Sequence, residues 1–264
     1  MFMEERQRKI ARCIEEQGKI TVAEIVRLYD ISDESARRDL RMLEQQGLCK
    51  RTHGGAIRPV QVASHPPADR DFSSMPIFET YDRIAACAAA MVKENDTVYL
   101  CGGSFGHILL RHLPREIPYT LVVNQVDVAK ELRGWDYVEV YIAGGHMRTS
   151  GSLVDAMAVA FVKQLHFDIC FLTGAGLTAE FGLSNVTEDT AAFQRAVLEN
   201  SRRRVLLMPG AKVGREAFLR VCGAEMFHTV ITDWECPPEQ LPQLRETGTE
   251  VIAVAHDTAD PANA

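Results

Sequence analysis

Between residues 97 and 254 seven short apolar runs alternate with stretches of helical length, and no other feature restricts the fold of this 264-residue chain so much. The runs lie at 97–101, 120–124, 138–142, 168–172, 205–208, 229–233 and 251–254, with helical segments between them at 83–92, 125–132, 153–165 and 190–201. Such alternation implies a mainly parallel sheet with helices on both faces. The expected fold class is therefore α/β, an open Rossmann-like domain over residues 81–264.

The chain upstream follows a different pattern. Residues 4–17 form an amphipathic stretch with Ile10, Cys13 and Ile14 at helical spacing and Gly18 as the stop. Thr21 has the chemistry to cap a second helix over 22–29, and Glu24 three residues on completes a capping box. Asp30-Ile31-Ser32 then makes a tight turn. Ser32 caps a third helix, with Asp33 and Glu34 complementing its dipole and Ala36, Leu40 and Leu43 giving it an apolar stripe. Gly47 ends it, and 48–57 reads as a short hairpin around His53-Gly54-Gly55. These elements predict a first domain at 1–57. Residues 58–80, "RPVQVASHPPADRDFSSMPIFET", hold four prolines and little periodicity, as a linker does.

Charge separates the two parts. The chain carries −7 overall, yet its first 58 residues hold 12 Lys/Arg against 10 Asp/Glu. Within 37–58 six bases face two acids, so contact with a polyanion is confined to this region. Seven scattered cysteines without a C-x-x-C pair suit reduced thiols in a cytoplasmic protein and argue against structural zinc or a disulfide framework. No run has membrane-spanning length, the acidic start lacks a signal-peptide core, and no cofactor motif is present.

A short helix, a tight turn and a third helix bearing bases make a helix-turn-helix. Arg37 and Arg41 lie one turn apart, with Arg38 about 100° round from Arg37. With Leu40 turned inward, Ser35, Arg37 and Arg41 face outward, where arginines pair with guanine or grip phosphates. The hairpin with Lys50, Arg51 and His53 would follow the backbone as a wing. Thr21 and Ser32, at the helix starts, complete the expected DNA-contacting set. Paired half-sites require a homo-oligomer, dimer or tetramer.

In the larger part, "VYLCGGSFGHILL" is a strand, a Gly-Gly-Ser turn and a helix start, a junction suited to an anion. The expected effector-binding residues are Gly102, Gly103, Ser104 and Phe105 there, and Asn124 at the next strand end. Gly145 and Arg148, Gly174, and Lys212 follow later strands. Carboxyl ends of parallel strands line one crevice, so these residues can converge.

"ISDESARRDLRMLEQQGLCKRTHGGAI" resembles the winged-helix signature of the DeoR family of bacterial transcriptional regulators, over residues 4–57. From about Arg83 to Val254 the order of motifs is similar to that family's effector domain, related in fold to sugar-phosphate isomerases and deaminases. The resemblance implies operator DNA as partner, repression of a carbohydrate-utilisation operon, and a phosphorylated sugar or related metabolite as effector. Three family motifs are altered. D-x-G-T-T is Cys101-Gly102-Gly103-Ser104-Phe105, D-S-S-K is Pro209-Gly210-Ala211-Lys212, and E-A-E-x-K-R is Thr190-Ala191-Ala192-Phe193-Gln194-Arg195. Ser35-Ala36 stands where the family has a β-branched residue before the arginines. The lost hydroxyl and carboxyl partners imply an unusual or less hydroxylated phosphorylated ligand. Two other readings compete: an isomerase-like enzyme using Asp168, Glu188, Asp189 or Asp233 as base, and a dimerisation domain with a vestigial pocket.

Overall fold

The computed structural model describes residues 3–17, 19–45, 48–52, 54–57, 62–63 and 79–256. The chain divides into two compact units, Met1–Gln61 and Val62–Ala264. Gly18, Gly47, His53, the connector residues 58–61 and 64–78, and the side chain of Lys50 lie outside the described residues.

The smaller unit runs α1 (Met3–Gln17), β1 (Lys19–Thr21), α2 (Val22–Tyr29), α3 (Asp33–Gln45), β2 (Lys50–Thr52) and β3 (Gly55–Ile57). The capping box forms as its spacing predicts: Thr21 Oγ1 accepts from Glu24 N at 3.1 Å, and the Glu24 carboxylate accepts from Thr21 N at 2.7 Å. Asp30 ends α2 at φ 48, a left-handed conformation that turns the chain at once toward α3. Ser32 Oγ then accepts from Ser35 N at 3.2 Å. Ile10, Ile14, Ile25, Ala36, Leu40 and Leu43 are buried together. At roughly 1.5–3 kcal/mol for each large aliphatic side chain removed from water, this cluster holds the three helices together.

The antiparallel sheet of this unit has the order β1-β3-β2. Its first strand is too short to read in the sequence, because only Ile20 of its three residues points inward. Gly55 is fixed by that strand, since a Cβ at this position would lie 2.1 Å from the Ile20 carbonyl oxygen.

The larger unit opens with β4 (Val62–Ala63), α4 (Glu79–Ala89), β5 (Thr97–Leu100), α5 (Gly103–Leu109), β6 (Tyr119–Val123), α6 (Val126–Glu131) and β7 (Val138–Ile142). After these come α7 (Ala156–Val162), β8 (Phe167–Leu172), β9 (Gly176–Thr178), β10 (Gly182–Asn185), α8 (Glu188–Glu199) and β11 (Ser201–Leu207). The last elements are β12 (Glu216–Ala217), β13 (Leu219–Cys222), β14 (Thr229–Thr232), α9 (Gln240–Glu246) and β15 (Glu250–Ala253).

All seven apolar runs become strands of one parallel sheet, ordered β15-β14-β11-β8-β5-β6-β7. The chain winds outward from β5 to β7, returns, and winds the other way from β8 to β15. Right-handed crossovers then place α5 and α6 on one face and α7, α8 and α9 on the other. The reversal lies between β5 and β8, and there the strand ends open a crevice. Tyr99 of β5 anchors the core beside it, with ring centroids 5.7 Å from Phe167 and 6.0 Å from Phe193.

Two features depart from the expected alternation. β9, β10 and β13 make a separate antiparallel sheet, and β12 pairs in parallel with β4, inside the segment expected to be linker.

Candidate functional site

In the smaller unit the capped turn presents α3 with one face buried and the other in solvent. Arg37, Arg38 and Arg41 are exposed, and Ser35 is half-buried at the helix start. Arg37 Nε donates to Asp33 Oδ2 at 2.7 Å, an i,i+4 pair between exposed groups and so worth only about 0.3–0.5 kcal/mol. Among the described residues Arg38 and Arg41 have no hydrogen-bond or ion-pair partner. Three guanidinium groups are thus displayed along one short helix with little to hold them back from an anion.

The two caps are structurally engaged. The Thr21 hydroxyl belongs to the capping box and Ser32 Oγ lies 2.9 Å from Ser35 Oγ. In the wing, Arg51 N donates to Glu44 Oε1 at 2.8 Å, which ties β2 to the end of α3.

Asp39, between the arginines and Leu40, was absent from the sequence expectations. It is 1% exposed and accepts from Arg6 Nε at 2.7 Å and Gln7 Nε2 at 3.0 Å, both on α1. A charge on a helix reads as solvated; only its spacing with Ala36 and Leu43 (i−3, i+4) put it on the buried side. It clamps the arginine-bearing helix to α1.

In the larger unit the strand ends do converge. Gly102 sits against Asn124 and Gln125: a Cβ there would meet Gln125 Oε1 at 2.8 Å and Asn124 Oδ1 at 3.6 Å. Gly103 has φ +71 and Ser104 is half-buried at the start of α5. Lys212 lies in the turn after β11, and its Nζ donates to the Gly174 carbonyl beyond β8 at 3.2 Å. Burial lowers the lysine's pKa and pushes the neighbouring Cys101 thiol up to about 12. Among the described residues no carboxylate pairs with Lys212. Turns after β5, β8 and β11 therefore surround a partly desolvated cation that has no counter-ion among the described residues.

Other expected residues have different tasks. Phe105 is drawn into the core, 1% exposed and stacked on Tyr81 at 4.9 Å. Asn124 accepts from the Tyr99 hydroxyl at 2.9 Å and donates to the Leu153 carbonyl at 3.2 Å, so its amide braces the crevice floor. Gly145, at φ +137, makes room for Asp155, whose Oδ1 would lie 2.2 Å from a Cβ. Asp155 in turn caps α7. Arg148 reaches the first turn of α8, with Asp189 Oδ2 at 2.6 Å and Thr190 Oγ1 at 3.3 Å.

The carboxylates named as candidate bases are mostly occupied too. Asp233 accepts from Gly210 N at 2.9 Å and Glu235 N at 2.8 Å, which shapes the Lys212 turn. Asp168 accepts from Thr97 N at 3.0 Å at the amino end of β8, the edge opposite the crevice. Gln194 of α8, in the altered E-A-E-x-K-R segment, donates to the Thr173 carbonyl at 2.7 Å and accepts from Asn185 at 2.9 Å.

Residues 79–234 match the family described as DeoR C terminal sensor domain, and residues 6–62 match the DeoR-like helix-turn-helix domain. The chain is similar to the HTH-type transcriptional regulator GolR of Listeria innocua serovar 6a, at 29% identity over 88% of this chain and 91% of that protein. It is 28% identical to the putative aga operon transcriptional repressor of Escherichia coli O157:H7, covering 95% and 93% of the two chains. The glycerol-3-phosphate regulon repressor of Escherichia coli strain K12 is also 28% identical, over 90% and 93%.

Proposed function

The chain belongs to the DeoR family of DNA-binding transcriptional regulators, and from that premise we propose that it represses a carbohydrate-utilisation operon under control of a phosphorylated sugar or related metabolite. Repression is supported by the relatives named for the aga operon and the glycerol-3-phosphate regulon. In this proposal Arg37, Arg38 and Arg41 enter the operator's major groove, with Ser35 at the reading end of α3. Thr21, Ser32, Lys50, Arg51 and His53 support the backbone contacts. The regulator works in the cytoplasm as a dimer or tetramer.

One observation carries the effector assignment. Lys212 is partly desolvated at the β5/β8 switch point, donates to the Gly174 carbonyl and has no described carboxylate partner. A phosphate held by Lys212 and the Gly102-Gly103-Ser104 turn supplies the missing negative charge. Asn124 braces the crevice floor and Gly174 accepts from Lys212, while Phe105, Gly145 and Arg148 act indirectly, by stacking on Tyr81, housing Asp155 and gripping the first turn of α8. We assign the domain no catalysis: Asp168 and Asp233 hold backbone amides in place, Asp189 is paired with Arg148, and the relatives are named as transcriptional regulators.

A panel of triose, pentose and hexose phosphates, followed by thermal shift and by turnover, tests the assignment. A stabilising shift of the wild-type chain that is lost in Lys212→Ala, without turnover, is expected. Turnover would support the enzyme instead, and no shift with any member would reduce the domain to a scaffold.

A further inference from the structure

We infer that β12 is the port through which the occupied crevice is read by the segment leading back to the DNA-binding unit. β12 begins four residues after Lys212, and its partner strand β4 begins five residues after Ile57, the end of the wing hairpin. The register is Glu216 with Val62 and Ala217 with Ala63, in parallel. The inference rests on Lys212 being the effector's anchor.

The chain between the lysine and β12 is fastened along its length to residues 177–184, so a change at one end is felt at the other. Val213 forms a bridge with Leu177, and Gly214 N donates to the Leu177 carbonyl at 2.8 Å. Gly176 lies so close to the neighbouring chain that a Cβ would come within 2.4 Å of the Arg215 carbonyl oxygen. Thr178 Oγ1 donates to Glu216 Oε1 at 3.1 Å, and Ala217 N donates to Ser184 Oγ at 2.8 Å. Lys212 itself donates to the Gly174 carbonyl. Residues 174–178 and 212–217 therefore form two fastened strips joined at one end by the lysine.

An anion that draws the Lys212 ammonium off Gly174 releases that end, and the shift passes along 213–216 to the strand paired with Val62–Ala63. Two residue pairs make a short ladder, so a small change in β12 alters how firmly β4 is held. A strand this short suits a contact that must open and close. No displacement of the seven-stranded sheet is required.

The test uses the full chain and the double variant Val62→Pro/Ala63→Pro, which removes both β4 amide hydrogens. Hydrogen exchange of the wild type should show protection at 62–63 that changes on adding the phosphorylated metabolite that shifts its melting point. The proline variant should bind that metabolite within twofold of wild type. Its affinity for DNA selected by the wild-type protein should respond to the metabolite at least fivefold less. Free-chain exchange at 62–63, or a full response in the proline variant, overturns the inference. If no sugar phosphate shifts the wild type, the effector assignment fails and this inference with it, a result visible without the variant.

Discussion

Replacing Asp39 with alanine removes the acceptor for two α1 side chains inside the smaller unit. Asp39 is 1% exposed, and Arg6 keeps a side-chain exposure of 13%, so some solvent reaches the orphaned guanidinium. Breaking a buried pair by deleting one partner costs about 3–5 kcal/mol, and the low end applies where some solvent reaches the survivor. A unit of this size has a stability of roughly 3–9 kcal/mol. The loss of about 3 kcal/mol is then a third or more of the total and lowers its midpoint by roughly 12–24 °C. Heat unfolding of the full chain by circular dichroism, with hydrogen exchange in α1 assigning the transition, measures it. Asp39→Asn keeps one acceptor and should lose about half as much. Arg6→Met with Asp39→Leu should recover most of the loss, as buried pairs exchanged for apolar groups do. If Asp39→Ala moves the α1 transition by less than about 4 °C, the clamp has been misjudged and α3 is held by its leucines alone.

Arg38→Ala/Arg41→Ala should weaken DNA binding by at least tenfold, leave melting within a degree or two, and flatten the salt dependence by up to about two units of slope; filter binding across a salt series reads both. Lys212 has a lowered pKa in the folded state, so an anionic ligand must find or restore its proton. Ligand affinity should therefore be constant below the depressed value and fall as pH rises through it, with proton uptake on binding in calorimetry. For folding alone the sign is opposite: between the depressed value and the ordinary lysine value the unfolded chain binds more protons, and stability rises with pH. Gly55→Ala should destabilise the smaller unit by more than 1 kcal/mol and abolish DNA binding, because the Ile20 carbonyl leaves no room for the methyl; calorimetry and binding check it.

How much was legible in the sequence depended on how local the cause was. The seven sheet strands could be drawn because each is an apolar run bounded by turn residues, and α2 and α3 because Thr21, Glu24 and Ser32 announce their starts. β9, β10 and β13 were missed since segments such as "GLSN" and "LRVC" owe their pairing to partners distant in sequence. Asp39 was missed because burial of a charge depends on Arg6, which is 33 residues away. At the crevice, strand ends located the glycines and Lys212, but nothing local shows that Phe105 turns to Tyr81 or that Asn124 is bonded to Tyr99. The left-handed backbone of Gly145 serves Asp155, a partner that a glycine after a strand does not by itself announce.

If one molecule reads DNA with α3 and a metabolite with Lys212, the two sites are thermodynamically linked. The linkage is tested most directly by fluorescence anisotropy on DNA selected by the wild-type chain, comparing wild type and Lys212→Ala with and without the metabolite that shifts the melting point. Wild-type affinity should change at least tenfold, and unliganded Lys212→Ala should bind within twofold of wild type. The variant should show no response to the metabolite. A Lys212→Ala chain that still responds in full would contradict it.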